Sequence, residues 1–281
     1  MEPRTGLPFN MHMHPPALIH SPANPVYKKL LALQTTHGIR KHGEFLVAGP
    51  KLTDEALRQQ SRNICAWIST PDLPPPPTAL AGIQWVLLDK KLFQDINVFG
   101  TPGILLTMRR PDLPVFNPMA PWPAGCTLLI PFGDPENVGG AIRAAAGLGA
   151  ARVVLLREAA CPFLPKAVRA SAGAAWKIRL ESGCGLADLA AVETAPLFAL
   201  DMAGEPLENV RRPACYGLVA GMEGLGVPAA LRQHCRLVSI PMANGIESLN
   251  AAAATAVALW AWRIQPKQTS NIQHRTPNVE R

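Results

Sequence analysis

Residues 127–149 read TLLIPFGDPENVGGAIRAAAGLG, and residues 152–156 continue RVVLL. The run at 127–130 is apolar without polar alternation, the pattern of a strand buried on both faces. Pro131 and Gly133 end it. Asp134 then stands where a helix N-cap belongs, and 138–148 has the Ala, Ile and Leu content of a helix lying on a sheet. The run at 152–156 reads as the next strand. Strand, helix, strand over so short a span implies a parallel crossover. The rhythm continues downstream, with strands expected at 176–179, 197–200, 217–220 and 237–240 and helices at 165–172, 228–234 and 246–262. The fold class is therefore α/β, with a parallel sheet in the C-terminal half.

Upstream, five prolines fall in the thirteen residues 111–123, a density that neither a helix nor a central strand tolerates. The segment predicts a linker. Before it, the pattern is that of an amphipathic helix carrying Val26, Leu30, Leu31 and Leu33, then a basic turn and a short strand at 45–47. A second helix is expected from Thr53, strands at 64–68 and 85–88 around the prolines 74–77, and a final strand at 104–108. The expected organisation is a flexible tail (1–20), a small α/β domain (21–110), the linker (111–123), a larger α/β domain (124–264) and a polar flexible tail (265–281).

The 281 residues suffice for two ordinary domains, and 48% hydrophobic with 17% charged residues excludes a wholly disordered chain. The longest apolar run, 251–262, is shorter than the ~20 residues that cross a bilayer, and the N-terminus has no apolar signal core. A cytoplasmic protein is expected. Six cysteines at 65, 126, 161, 184, 215 and 235 include no CxxC pair, which fits reduced, buried thiols. His12, His14 and His20 are too loosely set for a metal site, and no metal is expected.

In open α/β sheets ligands bind beyond the carboxyl ends of strands, so the loops that follow strands carry the chemistry. Three of these bear glycine. The first contains Asn137, Gly139, Gly140 and Arg143; its glycines admit a ligand or another backbone. It is neither a dinucleotide fingerprint nor a P-loop. The second, GMEGLGVP at 221–228, surrounds Glu223 with glycines and exposes backbone groups. The third, PMANGIESLN at 241–250, crowds Glu247, Ser248 and Asn250 at the entrance of an Ala-rich helix, where Ser and Asn can serve simply as caps.

NVGGAIRAAAGLG (137–149), LVAGMEGLGVP (218–228) and IPMANGIESLNAAAATAVAL (240–259), in this order, resemble the three signature motifs of the SpoU/TrmH branch of the SPOUT RNA methyltransferases. PKAVRASAGAAWKI (165–178) is similar to the family's segment between the first two motifs. Residues 24–57 resemble its N-terminal RNA-binding substrate domain. Ala48 departs from the Glu usual before Gly49, and Ala251, Ala252 and Ala253 replace a Val-Ser-Val series.

The resemblance implies a trefoil-knotted, homodimeric methyltransferase domain using S-adenosylmethionine without a metal. It implies catalytic roles for Arg143, Asn137, Glu223, Ser248 and Asn250, and cofactor contacts from Ala220, Gly221, Ile240, Met242 and Leu249. The reaction implied is methylation of a ribose 2′-hydroxyl, in ribosomal RNA on the strength of the extra N-terminal module. Transfer RNA, or a non-catalytic RNA-binding assembly role with the same fold, are the alternatives. A guanidinium stays protonated in proteins, so Arg143 is better suited to holding phosphate and stabilising the developing alkoxide than to acting as a base.

The charge balance points the same way. The net charge is +7, and residues 24–62 hold seven Lys or Arg against three acids. Lys28, Lys29, Arg40 and Lys41 there, with Arg169 in a second basic stretch at 152–181, are the expected RNA contacts.

Overall fold

The computed structural model describes residues 16–80, 82–221 and 227–264. The chain divides into two compact units between Arg110 and Pro111.

In the first unit, α1 (Pro25–Ala32) and α2 (Thr36–His42) lead into β1 (Glu44–Ala48), α3 (Pro50–Gln59), β2 (Ile64–Ser69), β3 (Gln84–Leu87), α4 (Lys90–Ile96) and β4 (Leu105–Arg109). The strands form a sheet in the order β1-β4-β2-β3, antiparallel except between β2 and β3. Asn24 caps α1 by accepting from the backbone N–H groups of Val26 and Tyr27.

Local chemistry revises three expectations here. The basic turn is the helix α2, capped by Thr35 and closed by Gly43 in the left-handed region. The helix expected from Thr53 starts at Pro50, and Thr53 lies inside it with its hydroxyl donating to the Gly49 and Pro50 carbonyls. The expected N-terminal tail is anchored at its end: the Ile19 N–H donates to Leu87 O at 2.9 Å, and the Asp89 N–H donates to Ile19 O at 3.1 Å. Residues 1–15 and 265–281 lie outside the described residues, and with them the rest of both expected tails.

The second unit runs β5 (Gly125–Ile130), α5 (Pro135–Leu148), β6 (Arg152–Leu155), α6 (Pro165–Ser171), β7 (Leu180–Ser182), β8 (Leu197–Pro206), β9 (Cys215–Val219), α7 (Ala229–Arg232), β10 (Cys235–Ser239) and α8 (Ala251–Ile264). All six strands are parallel, in the order β10-β8-β9-β5-β6-β7. Alternate residues serve two cores. Leu128, Ile130, Val153 and Leu155 pack with α5 and α8, while Leu129 and Val154 pack with Phe116, Trp122 and Leu189 on the opposite face. This is why the strands read as unbroken apolar runs.

Two further expectations fail. The strand placed at 176–179 is β7, further along: Trp176 ends a 3-10 turn, and pairing with β6 begins at Leu180. Residues 246–250 are not helical, and α8 starts at Ala251.

The proline-rich segment is also more than a linker. Phe116 and Trp122 are 3% and 8% exposed. The Phe116 N–H donates to Ser182 O at 2.8 Å, and the Ser182 N–H donates to Pro114 O at 3.0 Å, so the segment lies along β7. Beneath it Arg152, 6% exposed, donates from Nε to the Thr127 hydroxyl and from Nη1 to Glu181, which is 2% exposed. Its guanidinium lies 4.9 Å and 5.3 Å from the ring centres of Phe116 and Trp122. Arg152 is therefore core, not part of a basic surface.

Candidate active site

The order of strands locates the site. From β5 the chain moves to β6, and from β9 it moves the other way to β10, so connections diverge at the adjacent carboxyl ends of β5 and β9. Such a switch point opens a crevice in a parallel sheet. A cleft of about 820 Å³ lies here, within the range of small-molecule sites. It is lined by Asn137 at the start of α5, Gly221 after β9, Ser239 and Ile240 at the end of β10, and the segment 247–251 that enters α8.

Packing of α5 explains how the walls meet. A Cβ on Gly139 would lie 2.3 Å from the Ala167 carbonyl oxygen on α6, and one on Gly140 would lie 2.9 Å from the Ala252 Cβ on α8. Gly139 and Gly140 thus serve close helix approach. With α8 drawn onto α5, Asn250 Nδ2 donates to Asn137 Oδ1 at 2.8 Å. The Asn250 Oδ1 accepts from the N–H groups of Ala252 and Ala253, which makes it the cap of α8 as well. The two ends of the Asn250 amide are thus used separately, one to cap α8 and one to reach Asn137.

Of the residues singled out in the sequence, Asn137, Gly221, Ile240, Met242, Glu247, Ser248, Leu249 and Asn250 share this cleft. Glu223 lies outside the described residues. Ala220 is fully buried and does not line it; its N–H is used by Leu129 O.

Arg143 does not line it either and is exposed. Six residues along a helix turn the chain through about 600°, so Arg143 leaves α5 roughly 240° round from Asn137. The two do not converge within one chain. Among the basic residues, Lys28, Arg40, Lys41 and Arg169 are exposed, and Lys29, partly exposed, pairs with Glu44 at 2.6 Å.

Sequence reasoning missed Leu200, Asp201, Met202 and Arg232, which complete the cleft. The register of β8 against β10 passes from Ala199 opposite Leu237 to Glu205 opposite Val238, so residues 200–204 bulge from the ladder and carry three of these side chains to the rim. The expected strand stopped at residue 200, and nothing in its own sequence marks the shift of register.

The cleft can take an aromatic ring or carbon chain against Leu200, Ile240 and Leu249, and a zwitterion near Asp201, Arg232 and Glu247. This donor set fits S-adenosylmethionine. No group of acidic, His or Cys side chains suited to a metal occurs among the described residues.

A parallel sheet with a cleft at its switch point defines an α/β protein whose ligand sits on strand-end loops. Residues 127–260 match the SpoU rRNA Methylase family. A ribosomal RNA small subunit methyltransferase G 2 from Syntrophobacter fumaroxidans is 41% identical over 254 residues, covering 90% of this chain and 50% of that protein. A 23S rRNA (guanosine-2′-O-)-methyltransferase from Pseudomonas putida is 32% identical over 132 residues, 45% of this chain and 53% of that one. The chain thus spans about half the length of these curated relatives. The AdoMet-bound rRNA methyltransferase structure from Sinorhizobium meliloti superposes with a TM-score of 0.73 at 24% identity, over 88% of this chain and 97% of that one. That likeness shows a shared fold.

Proposed function

We propose that the protein methylates a ribose 2′-hydroxyl in ribosomal RNA using S-adenosylmethionine. The observation that carries the reading is the Asn137–Asn250 bond, which joins the first and third motifs at the mouth of the cleft. S-adenosylmethionine supplies an electrophilic methyl group for in-line displacement. The cleft holds its adenosine part and the carbon chain beside the sulfonium against Leu200, Ile240 and Leu249. The acceptor hydroxyl must be aligned and must lose a proton. Arg143 binds the neighbouring phosphate and stabilises the forming alkoxide, and a phosphate oxygen or water takes the proton.

Because Arg143 faces away from the cleft of its own chain, it serves the cleft of a second copy. The exposed apolar side chains Val257, Trp260 and Ile264, at i, i+3 and i+7 on α8, supply a face for that copy. The reading includes the trefoil knot that the resemblance implies, with α8 threaded through a loop. Lys28, Arg40 and Lys41 on the first unit, and Arg169 on the second, meet the RNA backbone. The relatives' names divide between the small subunit and 23S RNA, and each is matched over about half its length. Which ribosomal RNA is the target is therefore a matter for mapping.

The test is transfer of a labelled methyl group from S-adenosylmethionine to ribosomal RNA from cells lacking the gene, followed by mapping of 2′-O-methyl positions. Incorporation at one ribose supports the reading. Cofactor binding with no transfer to any RNA refutes it.

A further inference from the structure

We propose that Arg232 recognises the carboxylate at the amino-acid end of the cofactor, and that Asp201 is the positioning residue that holds it ready. The inference rests on the cofactor reading above and extends it to Asp201 and Arg232, two lining residues outside the three motifs. Among the described residues lining the cleft, Asp201, Arg232 and Glu247 are charged, and Arg232 is the one cation. S-adenosylmethionine carries a sulfonium, an ammonium and a single anionic group. Its cationic groups can be met by acids or carbonyls, but its carboxylate needs a donor, and a guanidinium fork matches it best.

The fork is built in advance. Arg232 Nη2 donates to Asp201 Oδ2 at 2.5 Å, and Nε donates to Val227 O at 2.9 Å. These bonds fix the guanidinium from two sides and engage two of its five N–H donors. The arginine side chain nevertheless remains 39% exposed, whereas that of Asp201 is 7% exposed. Asp201 is itself fixed, since its Oδ1 accepts the Ala203 N–H at 3.0 Å.

The bulge that carries Asp201 is tied at its base. Ser239 Oγ donates to Gly204 O at 2.9 Å, and Gly204 lies so close to β10 that a Cβ there would fall 2.5 Å from the Val238 nitrogen. Burying a carboxylate at the end of such a bulge is costly unless it is paired. Here the pairing also orients a cation into the cleft. A partner that merely neutralised Asp201 would not distinguish ligands; one that reads the carboxylate must.

The experiment is calorimetric titration of the full-length protein with S-adenosylhomocysteine and with its decarboxylated analogue, which keeps the adenosine, the thioether and the amine. The wild-type protein should prefer S-adenosylhomocysteine by about tenfold to a hundredfold, the range of a charge-assisted hydrogen bond. Arg232→Met should remove that preference and leave the affinity for the analogue unchanged. Asp201→Asn should reduce the preference in the same sense, and Arg232→Lys should restore part of it.

Equal weakening of both ligands in Arg232→Met, or no change in either, overturns the proposal. If Arg232→Met does not fold, Arg232→Lys and Asp201→Asn decide by the same ratio, and an unchanged preference in both overturns it. Failure of the wild-type protein to bind either ligand overturns the cofactor reading itself, an outcome distinct from binding without preference.

Discussion

Arg143 and Asn137 belong to one motif and one helix, yet only Asn137 faces the cleft. Their separation predicts a separation of roles. Arg143→Lys keeps the charge but loses the fork that holds phosphate and alkoxide together. It should lower the methyl-transfer rate by about a hundredfold or more and leave cofactor affinity at the wild-type value in a direct titration. Equal loss of both would place Arg143 in the cofactor site. Asn250 can be dissected in the same way. Asn250→Asp keeps an oxygen to cap α8 and suits the positive end of the helix, but cannot donate to Asn137. Thermal stability should stay within about 1 kcal/mol, while the transfer rate falls; a melting transition lost together with activity would mean the bond is only structural. Among the buried thiols, burial pushes Cys126 up to about 12 from an ordinary 9.0. Above pH 9 the unfolded chain loses this proton while the native chain keeps it, so the unfolded state gains. The stabilisation is fully present below pH 9 and is lost as pH rises towards 12. Melting temperature should fall across that window, and less steeply in Cys126→Ala.

The elements that were legible in the sequence are those whose side chains obey one rule throughout. β5, α5 and the part of β6 after Arg152 do so: Leu128, Leu129 and Ile130 with Val153, Val154 and Leu155 are apolar on both faces, and Asp134 and Gly149 cap the helix. β7 breaks the rule because Glu181 sits in it, and an acidic residue in a buried strand becomes readable only once Arg152 on β6 is known to meet it at 3.1 Å. The cleft wall from the bulge in β8 was hidden for a similar reason. A shift of register is a property of two strands, and neither sequence alone shows it. Asn137, Ser248 and Asn250 were singled out through family resemblance, whereas for Ser248 and Asn250 local pattern alone pointed to helix caps. The glycines of α5 can now be sorted by what surrounds them. Gly139→Ala should destabilise the protein by roughly 1–3 kcal/mol or more, since its methyl group would press on the α6 backbone. A Cβ on Gly147, in the same helix, would meet no neighbouring element within 4 Å, so Gly147→Ala should gain about 0.5–1 kcal/mol from helix propensity. Urea midpoints of the two variants should move in opposite directions, and a shared direction would contradict the packing described for α5.

At the scale of the whole molecule, the position of the true boundary decides how the two units can be separated. Composition places a linker at 111–123, and the natural cut would be just before Ala124. The structure argues for a cut at Pro111, because Phe116 and Trp122 complete the second core and cover the Arg152–Glu181 pair. Removing a buried aromatic costs roughly 3–5 kcal/mol, and removing two approaches the entire stability of an ordinary domain. A chain of residues 111–281 should therefore fold, bind S-adenosylhomocysteine with the affinity of the full protein and self-associate, whereas one of residues 124–281 should unfold or aggregate. The longer fragment should also lose most RNA affinity, because Lys28, Arg40 and Lys41 go with the first unit. In the full protein that affinity should fall steeply with salt, since each phosphate contact releases counterions. Filter binding from low to moderate salt, run beside methyl transfer, checks both points. If residues 111–281 methylate the RNA as efficiently as the whole chain, the first unit does not select the substrate, and the exposed basic residues of α1 and α2 are ordinary solvated surface.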